Sequence, residues 1–125
     1  MGALDDARSH LIKAKEFLDA ARANLAAERF NATTSDAVVS GINSKDAICL
    51  KLTGRTGKTD SHQSAVAELK VSGREGADLA STLDRLLKLK TRSQYETISV
   101  ARRDAENAAR WAEKLEDGAR RIVGA

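Results

Sequence analysis

A chain of 125 residues with 42% hydrophobic and 31% charged side chains has material for one domain and one core, and this balance excludes a disordered polyelectrolyte. Aromatic residues make up only 3% and proline is absent, which excludes a β-rich fold and predicts an all-α, antiparallel up-down bundle of four to five helices over residues 1–125. The net charge of +3 is small, so any attraction for polyanions depends on where the cations lie.

In helix one, Leu4, Ala7, Leu11, Ala14, Leu18, Ala21 and Leu25 recur at alternating spacings of three and four, an alanine-rich a/d seam. Phe17 is expected in the core or at a subunit interface, and His10 at the surface. Helix two is predicted from about Ala32 to Leu52 on Val38, Val39, Ile42, Ala47, Ile48 and Leu52. Gly41 inside it costs about 1 kcal/mol against Ala, acceptable where another backbone passes close by. Asn43 and Asp46 stand one turn apart on this helix. A buried carboxylate needs a partner, so Asp46 is expected to orient His62 or Arg92, or else to face water. Cys49, between Ile48 and Leu50, reads as a buried and inert thiol, and a single cysteine fits a reducing compartment.

The run from Thr53 to His62 breaks the helical pattern and holds two of the eight glycines and one of the two histidines. Gly57-Lys58-Thr59 matches the end of a phosphate-binding loop, but the first glycine of that motif falls on Leu52 and no parallel sheet is expected, so a nucleotide-triphosphatase loop is rejected. Asp60 and Gln63 form a variant capping box that puts His62 in the first turn of a short third helix through Val66 and Leu69, ended by Gly73 and Gly76. Helix four carries Leu79, Leu83, Leu86, Leu87 and Leu89 and stops near Thr91. Helix five repeats the alanine seam from Ala101 to Ile122, with Ser99 as N-cap, Gly124 as stop and Trp111 in the core or an interface.

The cations cluster. Residues 51–62 hold Lys51, Arg55 and Lys58 against Asp60, and residues 88–103 hold Lys88, Lys90, Arg92, Arg102 and Arg103 against Glu96, balances of +2 and +4 in a chain of +3. If helix three crosses the whole bundle, short connections bring both segments to one pole. That basic pole, with Lys51, Lys58, Arg92, Tyr95, Arg102 and Arg103, is the expected surface for RNA or phosphate. Helix dipoles account for Lys51, Lys88 and Lys90 without a ligand, but poorly for Arg102 and Arg103, which lie near a helix start.

Arg55 and His62 are the candidate catalytic pair: an imidazole takes the 2′-hydroxyl proton of RNA while a guanidinium stabilises the phosphorane charge. Asn43 and Asp46 are its candidate supports. Two histidines, one cysteine and no His-x-x-x-His spacing argue against a metal site, and no cofactor is expected. Asp5 and Asp6 stand where a signal peptide needs positive charge, and no run approaches the ~18 apolar residues of a membrane span, so a cytoplasmic protein away from membranes is expected.

Phe30-Asn31 after an alanine-rich helix, Ser40-Gly41-Ile42 and Asp46-Ala47-Ile48-Cys49 on the next, the glycine loop to His62, then Leu86-Leu87, Tyr95 and Ala101-Arg102-Arg103 together resemble a HEPN domain. This is the small helical bundle of bacterial toxin and defence systems. The resemblance covers nearly the whole chain and implies an Arg-x4–6-His ribonuclease motif with a polar residue after the arginine. Arg55, Thr56 and His62 match it with six intervening residues, although the motif falls between the second and third helices rather than beside a later one. It further implies a homodimer with two Arg/His sets facing each other, and a nucleotidyltransferase-type or antitoxin protein partner. The two readings that follow are a dimeric, metal-independent endoribonuclease and a non-catalytic HEPN module that binds nucleotide, RNA or a partner protein. A histidine phosphotransfer bundle using His62 fits less well, because that chemistry needs a mid-helix imidazole.

Overall fold

A computed structural model describes residues 2–57, 61–95 and 99–124, with the side chains of 91–95 outside that description. It contains five helices: α1 (Ala3–Ala26), α2 (Phe30–Thr53), α3 (His62–Val71), α4 (Arg74–Tyr95) and α5 (Arg102–Val123). No strand occurs among the described residues, and none of the helices is long and apolar enough to cross a membrane.

The alanine seams face inward along most of their length, although Leu4 of the first is exposed and Ala101 of the second is an exposed N-cap outside α5. Ala7, Ala14, Leu18 and Ala21 are the buried residues of α1, and Ala105, Ala108, Ala112, Leu115 and Ala119 line the inner face of α5. The bulky core comes chiefly from α4, whose Leu83 and Leu86 are wholly buried, joined by Leu18, Ile48, Leu69 and Leu115. Each fully buried leucine contributes about 2 kcal/mol. Glycines make room for them: a Cβ on Gly41 would come within 2.5 Å of Leu86 Cδ2 and one on Gly118 within 2.6 Å of Leu79 Cδ1. The neighbour that Gly41 admits is therefore a leucine side chain, not the passing backbone anticipated above.

α2 is the central element and touches all four other helices. It runs antiparallel to α1, with His10 beside Asn43, Ser40 bonded to the Ala14 carbonyl at 2.7 Å and Asn24 bonded to Asp36 at 2.8 Å. Gly54 ends it in the left-handed region at φ 80°, where glycine has no Cβ penalty. Ser61 caps α3 by accepting from the Ser64 N–H, so His62 is its first residue; the expected cap, Asp60, lies outside the described residues. α5 begins after Ala101, two residues beyond the expected Ser99 cap, and α4 continues past Thr91 to Tyr95.

Among the described residues the single basic pole does not form. α3 has only ten residues, less than half the length of α1 or α2, and is not a full crossing. After Gly54 the chain turns back along α2, so that Thr56 bonds Asp46, seven residues before the end of the helix and about 10 Å back along its axis. α3 then starts at mid-height, beside Asp84 of α4, and descends. Gly73 in the α3–α4 turn consequently lies against Leu52, at the end of α2. α4 climbs from there to the opposite end, where Val100 N–H bonds Asn31 and Arg102 pairs with Glu28 and lies 4.9 Å over the Phe30 ring. Arg102 and Arg103 therefore sit at the α1–α2 turn, a bundle length from Lys51 and Arg55.

Candidate functional site

The most tightly organised polar group surrounds a residue that the sequence did not single out. Lys45 is 2% exposed, yet its ammonium donates to Asp46 Oδ1 at 3.1 Å, Thr56 Oγ1 at 2.9 Å and Glu68 Oε1 at 2.7 Å. Those three bonds satisfy its three protons. Burial opposes the charge on Lys45, but Glu68 and Asp46 outweigh it and hold the ammonium above its usual range. Burial likewise pushes the Glu68 carboxyl up, and it is outweighed by Lys45 and the Gly57 N–H, which hold it below the usual range. Thr56 donates onward to Asp46 Oδ1 at 2.6 Å, and Glu68 Oε2 accepts the Gly57 N–H at 2.5 Å. The backbone immediately after Arg55 is thus fastened at two successive residues.

The same network reaches α1. Asn43 Nδ2 donates to the Val39 carbonyl at 2.9 Å, which turns Asn43 Oδ1 toward His10 Nδ1, 2.8 Å away. An oxygen only accepts there, so His10 carries a proton on Nδ1, and in the neutral ring the lone pair is on Nε2. Asp46 Oδ2 stands 3.9 Å from Nδ1, while the other oxygen of the same carboxylate binds Thr56 and Lys45. His10 is half-buried rather than a free surface residue. Asn43 and Asp46 thus contact His10 and the Arg55 segment rather than His62, and the side chain of Arg92, the other expected partner of Asp46, lies outside the described residues.

His62 belongs to a second group. Its Nε2 lies 2.8 Å from Asp84 Oδ1, and Lys88 holds the other oxygen at 3.0 Å. Lys88, and then His62, keep the Asp84 carboxyl below the usual range. An ionised carboxylate accepts, so Nε2 carries a proton, and in the neutral ring Nδ1 is the nitrogen with the lone pair. The ring is half-buried in an open cleft between α3 and α4, lined by Gln63, Val66, Lys70, Asp84 and Lys88.

Arg55 and Lys51 are both exposed on the α2 side of the molecule, and Arg55 makes no side-chain bond among the described residues. Glu68, which holds Gly57, is six residues beyond His62 and projects about 120° from it around α3. α3 thus turns His62 toward α4 and Glu68 toward α2 and the Arg55 segment. The predicted phosphate-binding set is divided: Lys51 at one end, with the catalytic candidate Arg55, and Arg102 and Arg103 at the other. Lys58 and the side chains of Arg92 and Tyr95 lie outside the described residues.

Lys45 is the clearest omission of the sequence reading, and one signal was present: it stands among Ile42, Ala47, Ile48 and Cys49, where an unpaired ammonium has no tolerable environment. Asp84 and Lys88 were legible as an i,i+4 pair, but not their histidine, 22 residues away. No group of three or more potential metal ligands occurs among the described residues. The Cys49 thiol is buried and its pKa is pushed up by that burial to about 11.

Compared with known families, residues 7–122 match the HEPN domain. No curated protein matches the chain.

Proposed function

Because the chain belongs to the HEPN domain family, whose match spans all but nine of its residues, we propose that it acts on RNA as a metal-independent endoribonuclease built from two copies. In this reading His62 is the general base and Arg55 carries the charge of the phosphorane. A positioned base supplies on the order of 10²–10⁴ in rate and an oriented cation a similar factor. The observation that supports it is the imidazole itself: Asp84 orients the His62 ring by its Nε2 proton, leaving Nδ1 as the proton acceptor in an open cleft. Lys51 and Arg55 add positive charge, and a nucleotidyltransferase-type or antitoxin protein is the partner class that the family suggests. The test is incubation of purified protein with single-stranded RNA in EDTA. Cleavage that falls at least 100-fold in His62→Ala supports the reading, and undiminished cleavage in that variant contradicts the assignment of the base.

A second reading, a non-catalytic HEPN module that binds RNA, nucleotide or a partner protein, has its own support. The Gly57–Glu68 bond holds the Arg55 segment beside the second turn of α3, on the face away from His62. Binding that weakens steeply with salt, without cleavage, selects this reading.

A further inference from the structure

The Arg55 segment has an imidazole of its own. His10 and Thr56 meet the two oxygens of one carboxylate, Asp46, and Arg55 is the next residue along the chain from Thr56. Every other polar group in the cluster is committed. Asp46 and Glu68 accept from Lys45, Thr56 and Gly57, and Asn43 is spent between Val39 and His10. What remains for a ligand is the His10 Nε2 lone pair on a ring whose side chain is 28% exposed, and the exposed guanidinium of Arg55. An imidazole acceptor joined through Asp46 and Thr56 to the residue next to an exposed guanidinium has the chemistry of a ribonucleotide site: the guanidinium takes a phosphate and the imidazole accepts from the neighbouring 2′-hydroxyl.

We propose that His10 and Arg55 form a ribose-phosphate subsite, in which His10 Nε2 reads the 2′-hydroxyl and distinguishes RNA from DNA. The proposal rests on the reading that this chain takes RNA, and it holds whether the bound strand is cut or only held. Asn43 is a positioning residue here, since it fixes which nitrogen of His10 is free, and Lys45 fixes the segment that carries Arg55.

The experiment measures binding of a short oligouridylate and of its 2′-deoxy counterpart by fluorescence anisotropy, in EDTA and at one salt concentration. Both oligomers keep their phosphodiester linkages, so that they differ only at the 2′ position. Binding is read in the cold, with the ribo-oligomer checked on a gel to be intact after each titration. Wild type is expected to prefer the ribo-oligomer by on the order of tenfold, the worth of one good hydrogen bond. His10→Ala, and His10→Phe, which keeps the bulk of the ring, should equalise the two affinities while melting as cooperatively as wild type. Arg55→Ala should weaken both oligomers alike. A preference that survives both His10 variants overturns the proposal and leaves the RNA reading standing, as does equal binding of the two oligomers by wild type. A chain that binds neither oligomer overturns the RNA reading and this subsite with it.

Discussion

Lys45 of α2 donates to Glu68 of α3 at 2.7 Å, and through the other oxygen of that carboxylate holds the Gly57 N–H. One buried cation therefore fixes the place at which the chain, having left α2, turns back alongside it. A pair of apolar residues would give comparable stability without the cost of burying an ion. The network's particular contribution is to hold Thr56 and Gly57, and hence Arg55, in a single position.

Removing that cation leaves two carboxylates facing each other. Lys45→Ala is expected to lower stability by about 3 kcal/mol, the usual result of stripping one partner from a buried pair. Glu68→Gln should cost about 1 kcal/mol, because the Glu68 side chain is 32% exposed and the amide oxygen still accepts from Lys45. Urea unfolding of the two variants checks the order; equal losses would show that Lys45 is not the centre of the cluster.

The pH dependence has a definite sign. Glu68 and Asp84 titrate below their usual range in the folded chain, so their contribution is complete above the unfolded values of about 4 and is lost as pH falls through the depressed ones. Lys45 is raised; its contribution is complete below about pH 10 and is lost as pH rises through the folded value. Urea midpoints should fall from about pH 4.5 downward, less steeply in Glu68→Gln. A midpoint that rises on acidification would contradict the ion-pair geometry.

Cys49 offers a probe of the core. With a pKa of about 11 and a buried side chain, it should not react with a thiol reagent at pH 8 in the folded protein, and should react at once in urea. Rapid labelling under native conditions would mean that α2 is not enclosed as described.

Two glycines separate packing from backbone strain. A Cβ on Gly76 would meet the Leu69 carbonyl at 2.7 Å and the Ser72 side chain closer still, so Gly76→Ala forces the α3–α4 turn apart. A loss of about 2 kcal/mol is expected. Gly54 has open space around it but a φ of 80°, so Gly54→Ala should cost about 1 kcal/mol from backbone strain alone. Thermal unfolding of both variants tests the ranking.

The helices were legible because an alanine seam such as Ala105, Ala108 and Ala112 has one period and one meaning. The placement of α3, and with it the direction of α4 and α5, was not, because it turned on ten residues: nothing local to Thr56 announces that it bonds backward to Asp46 and places α3 at mid-height. The site was legible only in pieces. Asn43 and Asp46 were identified as polar supports, but the imidazole they meet belongs to α1, 33 residues before Asn43, a distance that sequence spacing cannot bridge. Lys45 was passed over because a lysine on a helix is ordinarily a solvated charge.

Cleavage of single-stranded RNA in EDTA by wild type and by Arg55→Ala is the most direct test of the account, since Arg55 serves both the proposed cleavage with His62 and the proposed subsite with His10. The account predicts products ending in a 2′,3′-cyclic phosphate, from attack of the 2′-hydroxyl, and a rate at least 100-fold lower in the variant. No cleavage by wild type, or cleavage that Arg55→Ala leaves unchanged, would contradict it.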